Sequence, residues 1–353
     1  MHNPIQTPAK ASSRLSTFLS NTERSWWIGL LLLASALSIF TVYDQVFHRV
    51  GEEFIWEEQL RFQRWVMEGT SVDPWQYRVL VPYLIEGVRE IIKGLGFAAS
   101  YAKVFFALRL LQNFLIFVAA GCYLRRLSIK RSHTAIALAI LAWSFTYSGF
   151  QSHLGFDTYF DILFYILAMI LLLRGSLKWI IPLSILVAFN RETGLFIPLI
   201  VLAAGLRIRP KLSIEREHGL VGVISLVLMV VIIVSVRLIY GPRPFLEIAI
   251  PGWDLFVCNL TSVDTYFYLF ATFSAIPIIA LLRIKEWPLL FVRILWLMLP
   301  VWVVIHLFMG VASEARLFLV PYVLIFLPGA FVHRGPDQPG EVLLTASGDL
   351  GES

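Results

Sequence analysis

Two aspartates four residues apart, Asp157 and Asp161, open a long apolar stretch, and His153 stands just before them. That spacing puts both carboxylates on one face of a helix. The start of a helix favours negative charge, so helix-start stabilisation is the plain reading of Asp157. Asp161 is harder to explain, because it lies a turn further in and the next twelve residues carry no charge. Carboxylates at such a position are costly unless a polar cavity holds them, and there they can accept a proton from a hydroxyl group. Asp44 offers the same chemistry directly after the first apolar run. Arginine supplies the complementary chemistry. In Trp75-Gln76-Tyr77-Arg78 an Arg follows aromatic residues at the start of an amphipathic stretch. Its planar fork suits a phosphate, although an aromatic anchor with a snorkelling Arg reads equally well. Asn190-Arg191-Glu192-Thr193 and Ser313-Glu314-Ala315-Arg316 each set an acid beside an Arg, with a local ion pair as the plain alternative. Arg109 and His306 add polar groups inside apolar segments.

The elements that must position these groups are apolar blocks. They cover 25–43, 102–123, 133–150, 157–173, 177–189, 194–206, 219–240, 265–282, 288–310 and 315–332. A bilayer crossing needs about 20 apolar residues. Of the 353 residues, 58% are hydrophobic and 15% charged, whereas soluble domains carry about a quarter charged. The chain is therefore expected to be an all-α polytopic integral membrane protein of about ten transmembrane helices. Connectors rich in Lys and Arg, such as Arg125/Arg126/Lys130/Arg131 and Arg207/Arg209/Lys211/Arg216, alternate with connectors poor in them. By the positive-inside rule both termini are cytoplasmic. The same rule makes 177–206 a hairpin with its 190–193 tip outside. The first block resembles a signal peptide, but no small-residue cleavage site follows it, so it reads as a retained helix.

Residues 44–101 form a large first extracytoplasmic loop. Within it, 52–68 and 79–95 are amphipathic and are expected to be helices lying in the interface. Residues 1–24 read as a cytoplasmic tail, 25–334 as the transmembrane domain and 335–353 as a disordered cytoplasmic tail. The net charge of +5 follows from the basic connectors, so no nucleic-acid partner is expected. Cys122 and Cys258 should lie on opposite faces, and no metal-type Cys/His spacing occurs. Asp44, Arg78, Asp157, Asp161, Arg191, Glu192, Glu314 and Arg316 all fall on one side in this topology. Acids and arginines around one outer cavity suit a polar substrate carried on an anionic lipid.

The chain resembles the GT-C superfamily of membrane glycosyltransferases, in the bacterial type that uses polyprenyl-phosphate sugars. The resemblance rests on the first helix followed by a large outer loop with an acid at its start, and on four short segments. These are Gln76-Tyr77-Arg78-Val79-Leu80-Val81-Pro82-Tyr83, Phe156-Asp157-Thr158-Tyr159-Phe160-Asp161, Asn190-Arg191-Glu192-Thr193-Gly194 and Glu314-Ala315-Arg316-Leu317-Phe318. It implies a polyprenyl-phosphate sugar as donor and a glycan, lipid or protein as acceptor, with cell-envelope synthesis at the bacterial inner membrane. It leaves a divalent metal open. The carried-over catalytic base is Asp44, with Asp157 and Asp161 as alternatives, because Gln45 stands where many members have a second acid. Arg78 or Arg191 would steady the departing phosphate, among polar neighbours Gln76, Tyr77, His153, Glu192, Glu314 and Arg316. A transporter or flippase, an assembly partner in polysaccharide export, and a polymerase for lipid-linked saccharides are the other readings.

Overall fold

The computed structural model describes residues 21–51, 55–148, 154–207, 213–246 and 250–332. The described part of each of the ten apolar blocks is mainly helical, because an uncharged run can satisfy its backbone groups internally only as a helix. In chain order the helices begin with α1 (Asn21–Asp44), prolonged by a wider turn over Gln45–Val50. Next come α2 (Leu60–Met67), α3 (Leu80–Gly94), α4 (Tyr101–Arg126), α5 (Arg131–Tyr147) and α6 (Phe156–Leu173). Two short helices follow, α7 (Leu177–Ala188) and α8 (Glu192–Ala204). A two-stranded ribbon, β1 (Leu206–Arg207) with β2 (Ser213–Ile214), leads into α9 (Arg216–Tyr240). The chain continues through α10 (Trp253–Thr261), α11 (Val263–Phe273), α12 (Ile276–Leu282), α13 (Leu289–Met309) and α14 (Ala315–Phe331).

Five helices among the described residues are long and apolar enough to cross a membrane: α1 with its extension, α4, α6, α9 and α13. α11 and α12 make a sixth if counted as one span, broken by a 69° bend. By length and composition the described residues thus supply five or six candidate spans, against the expected count of about ten. α7, α8 and α14 are apolar but short, and α5 has 17 residues, about 25 Å of rise. The amphipathic stretch 79–95 is the helix α3. From 52–68 the helix α2 forms after a wider turn over Ile55–Gln59. The 241–264 connector holds a helix of its own, α10, and Cys258 lies on it, exposed; both cysteines are free. The tails 1–20 and 333–353 lie outside the described residues.

α6 is the centre of the bundle. Its most apolar stretch is 78% buried, against 28% for α9. α4 packs on α1 and α6, while α9 is backed by α7 and α8. Gly194 and Gly222 permit that close approach, because a Cβ would meet Val187 and Leu202 respectively. Val187 lies against Gly194 only because the chain reverses between them, so α7 and α8 form a hairpin. On the outer face of α9, Val223, Val227, Val230 and Val234 are partly or largely exposed. Such an apolar surface is stable when lipid rather than water covers it.

The two ends of the bundle differ in charge. One end gathers the first turn of α4's partner helix and the exits of α4 and α6, with Arg125 paired to Glu23 at 2.8 Å and Arg283 donating to Ala330 O and Val332 O. Arg126, Arg131, Arg174 and Arg207 belong to this basic end. The opposite end carries α2, α3, the start of α6 and the 190–193 turn. There α3 is tied down by Glu86, which accepts hydrogen bonds from Tyr101 Oη (2.7 Å), Gln63 Nε2 (3.1 Å) and Arg89 Nη1 (2.9 Å).

Burial by itself would raise the Glu86 carboxyl, but the donors of Tyr101, Gln63 and Arg89 outweigh it and hold it below its ordinary value of 4.5. The unfolded chain then binds the proton more readily than the folded one. The stabilisation is fully present above that ordinary value and is lost as pH falls through the lower folded value. Thermal unfolding between pH 7 and 3 should show a steeper acid decline for the wild type than for Glu86→Gln. Parallel curves would remove this role for Glu86.

Candidate active site

The site begins at a glycine. Gly155 precedes α6 with φ +58°, in the left-handed region that side chains resist, and a Cβ there would come within 2.7 Å of Arg316 Nη1. The turn can therefore be tight only with glycine. Gly155→Ala is expected to cost about 1–3 kcal/mol and to displace Arg316. A thermal midpoint equal to the wild type's would contradict this.

From that turn the first residues of α6 project into a chain of alternating charges. Arg191 Nε is 3.8 Å from Asp157 Oδ2, and Arg78 Nη1 donates to the same oxygen at 2.8 Å. Arg78 Nε stands 3.6 Å from Glu192. Arg237 then bridges Glu192 (3.1 Å) and Asp73 (3.0 Å). Arg191 Nη1 also donates to Thr158 Oγ1 at 2.6 Å, and Asn190 Nδ2 donates to Asp157 O at 2.8 Å. Asp161, fully buried, accepts from Thr193 Oγ1 at 2.6 Å. For Arg78, burial works to lower the pKa, but Glu192 and Asp157 more than offset it, so the guanidinium is held charged.

Four enclosed polar atoms of this cluster have no hydrogen-bond partner among the described residues: Arg78 Nε, Arg191 Nε, Asp161 Oδ1 and Asn190 Oδ1. Each such group costs about 1–3 kcal/mol when left unpaired, so a cluster of them is a candidate ligand-binding feature. Two N–H donors from guanidinium groups beside unpaired amide and carboxylate oxygens suit a ligand that is anionic at one point and carries hydroxyls at another.

A small, open cleft of about 50 Å³ leads to Arg78 and Asp157. Its walls come from α2 and the turn before it, the 75–77 turn, α3 and the start of α6: Phe62, Val66, Trp75, Val81, Ile85 and Phe156, with Gln59 and Gln63 among them. The cleft thus has apolar walls and a charged end.

Below it, Arg109 is 2% exposed and has no carboxylate ion-pair partner among the described residues. Its Nε donates to Gln45 Oε1 (3.0 Å), Nη1 to Gln112 Oε1 (2.8 Å) and Nη2 to Leu154 O. The guanidinium lies 3.6 Å from the Tyr159 ring centre. Gln112 Nε2 bonds Phe156 O at 2.8 Å. Arg109 and Gln112 therefore clamp the backbone that aims Asp157.

Of the residues singled out in the sequence, the structure brings Arg78, Asp157, Asp161, Arg191 and Glu192 together. Arg316 lies against Gly155 and pairs with Glu314 at 2.7 Å. Gln76 and Tyr77 hold the loop: Gln76 bonds Ser71 N and Val66 O, and Tyr77 Oη bonds Gly241 O. Asp44 pairs with Arg49 at 3.3 Å, while its neighbour Gln45 turns inward to Tyr159 and Arg109. His306 Nδ1 donates to Trp302 O at 2.8 Å, and its ring stacks on that of Trp302. His153 lies outside the described residues. Asp73, Arg237, Gln59 and Gln63 are site members that sequence reading passed over. An Arg at the exit of α9, whose preceding 18 residues carry no charge, and two Gln in the apolar stripe leading through α2 were the available signals. Among the described residues no group of three His, Cys, Asp or Glu side chains is placed to hold a metal ion. Compared with family models, curated proteins and solved structures, the chain matches none.

Proposed function

We propose that this protein is a membrane glycosyltransferase that moves a sugar from a polyprenyl-phosphate donor to a glycan, lipid or protein acceptor at the extracytoplasmic face of a bacterial inner membrane. The observation that carries the reading is the apolar-walled cleft ending on Arg78 and Asp157, with Arg191 alongside. A prenyl chain suits the walls and a phosphate suits the arginines. In this reading all ten helical blocks cross or enter the bilayer, the basic end faces the cytoplasm, and the cleft opens outward.

The reaction is a displacement. An acceptor oxygen attacks the anomeric carbon, the bond from that carbon to the phosphate oxygen breaks, and the lipid phosphate leaves with the electron pair. Asp157 is the base we assign, because it lines the cleft and Asp44 is not among the residues of its walls. An arriving phosphate competes for Arg78 and loosens its hold on Asp157, leaving that carboxylate to take the acceptor's proton. Arg78 and Arg191 then steady the charge on the leaving phosphate.

The test uses the full chain in nanodiscs with radiolabelled polyprenyl-phosphate sugars and a membrane extract as acceptor. Label should pass to the acceptor, and Arg78→Gln should abolish the transfer. Movement of intact labelled lipid across the bilayer would instead mark a flippase, and lengthening of one glycan by repeat units a polymerase. Absence of transfer, or of farnesyl phosphate binding, would defeat the reading.

A further inference from the structure

We infer that Gln59 and Gln63 form a hydroxyl-reading pair on the wall of the cleft, selecting the carbohydrate part of the lipid-linked donor; this rests on the glycosyl-donor reading. Gln59, Phe62, Gln63 and Val66 follow the i, i+3, i+4, i+7 spacing of one helix face, and all four line the cleft. An amphipathic helix places apolar residues at such positions, yet two are amides, 6% and 2% exposed. Burying an amide is costly unless its polar ends are used.

Each amide is half used, and the half differs. Gln59 Oε1 accepts from Leu154 N at 2.9 Å. Gln63 Nε2 donates to Pro82 O at 2.9 Å and to Glu86 Oε1 at 3.1 Å. These partners fix which end of each amide is nitrogen and which is oxygen. What remains is the Nε2 donor of Gln59 and the Oε1 acceptor of Gln63, one turn apart. Neither is among the enclosed unpaired atoms, so both stay reachable from the cleft.

A donor beside an acceptor discriminates among ligand parts. A phosphate offers acceptors only, so it satisfies Gln59 but not Gln63. A prenyl chain satisfies neither. Adjacent hydroxyls, each both donor and acceptor, satisfy both. A site built to bond a hydroxyl also rejects analogues lacking it, because its polar atoms would be left unpaired.

The experiment measures binding to the full chain in nanodiscs. The probes are farnesyl phosphate and its glucose, mannose and arabinose esters. The wild type should bind at least one ester about tenfold tighter than bare farnesyl phosphate, a difference of about 1.4 kcal/mol. Gln59→Glu keeps an oxygen for Leu154 N and deletes the N–H donors, and should erase most of that ratio. Its added charge acts on both ligands and largely cancels in the ratio. Gln59→Met, which is uncharged, should lower the ratio too. An undiminished ratio in both variants, or no ratio in the wild type, overturns the inference and leaves the parent reading standing. Failure of bare farnesyl phosphate to bind, or binding indifferent to Arg78→Gln, defeats the parent reading and this inference together.

Discussion

Asp157→Asn should reduce sugar transfer by about 10²–10⁴-fold, the usual contribution of a positioned general base, while the protein still inserts and folds. The amide keeps the shape of the carboxylate, and its oxygen still meets Arg78, which retains Glu192 at 3.6 Å. What it loses is the capacity to take up a proton. Donor binding should hold or improve, because removing a negative charge next to two arginines favours an incoming phosphate. The expected signature is a collapse in kcat without a matching rise in KM. Asp44→Asn is the comparison: its partner Arg49 lies outside the charge chain, and that variant should transfer nearly as well as the wild type. The reverse outcome, with Asp44→Asn inactive and Asp157→Asn active, would return the base to Asp44.

Arg109→Ala should be among the most destabilising single changes in the chain. It strands three acceptors, Gln45 Oε1, Gln112 Oε1 and Leu154 O, in a buried site. Each costs about 1–3 kcal/mol when unpaired. Ordinary substitutions cost about 0.5–3 kcal/mol in all. Arg109→Lys should fall between, since an ammonium lacks the planar fork that reaches three acceptors at once. Thermal unfolding in detergent decides this. A midpoint for Arg109→Ala within about 2 °C of the wild type, under about 1 kcal/mol for a chain of this size, would show that the clamp carries little of the stability.

Much of the helical layout could be read from apolar runs, because hydropathy reports directly on what a buried helix needs. Span number could not, since α7, α8 and α14 fall short of a full crossing and α11 and α12 bend, and no residue type announces such lengths. Of the site, Arg78, Asp157, Asp161, Arg191 and Glu192 were visible as charges at the edges of apolar blocks. Asp73 and Arg237 were not, because their importance comes from meeting each other across 164 residues of sequence, with Arg237 also holding Glu192. Nor did the sequence separate Asp44 from Gln45. The two are adjacent, and only the way the end of α1 unwinds decides that the amide turns inward and the acid outward.

The alternating charges from Asp73 to Arg191 also set a timetable for biosynthesis. Asp73 and Arg78 are made early, Asp157 and Glu192 later, and Arg237 later still. Until α9 is complete, Glu192 has one of its two arginines and Asp73 has lost its own. A chain ending before residue 237 would therefore leave both acids short of the arginine that balances them in the finished bundle.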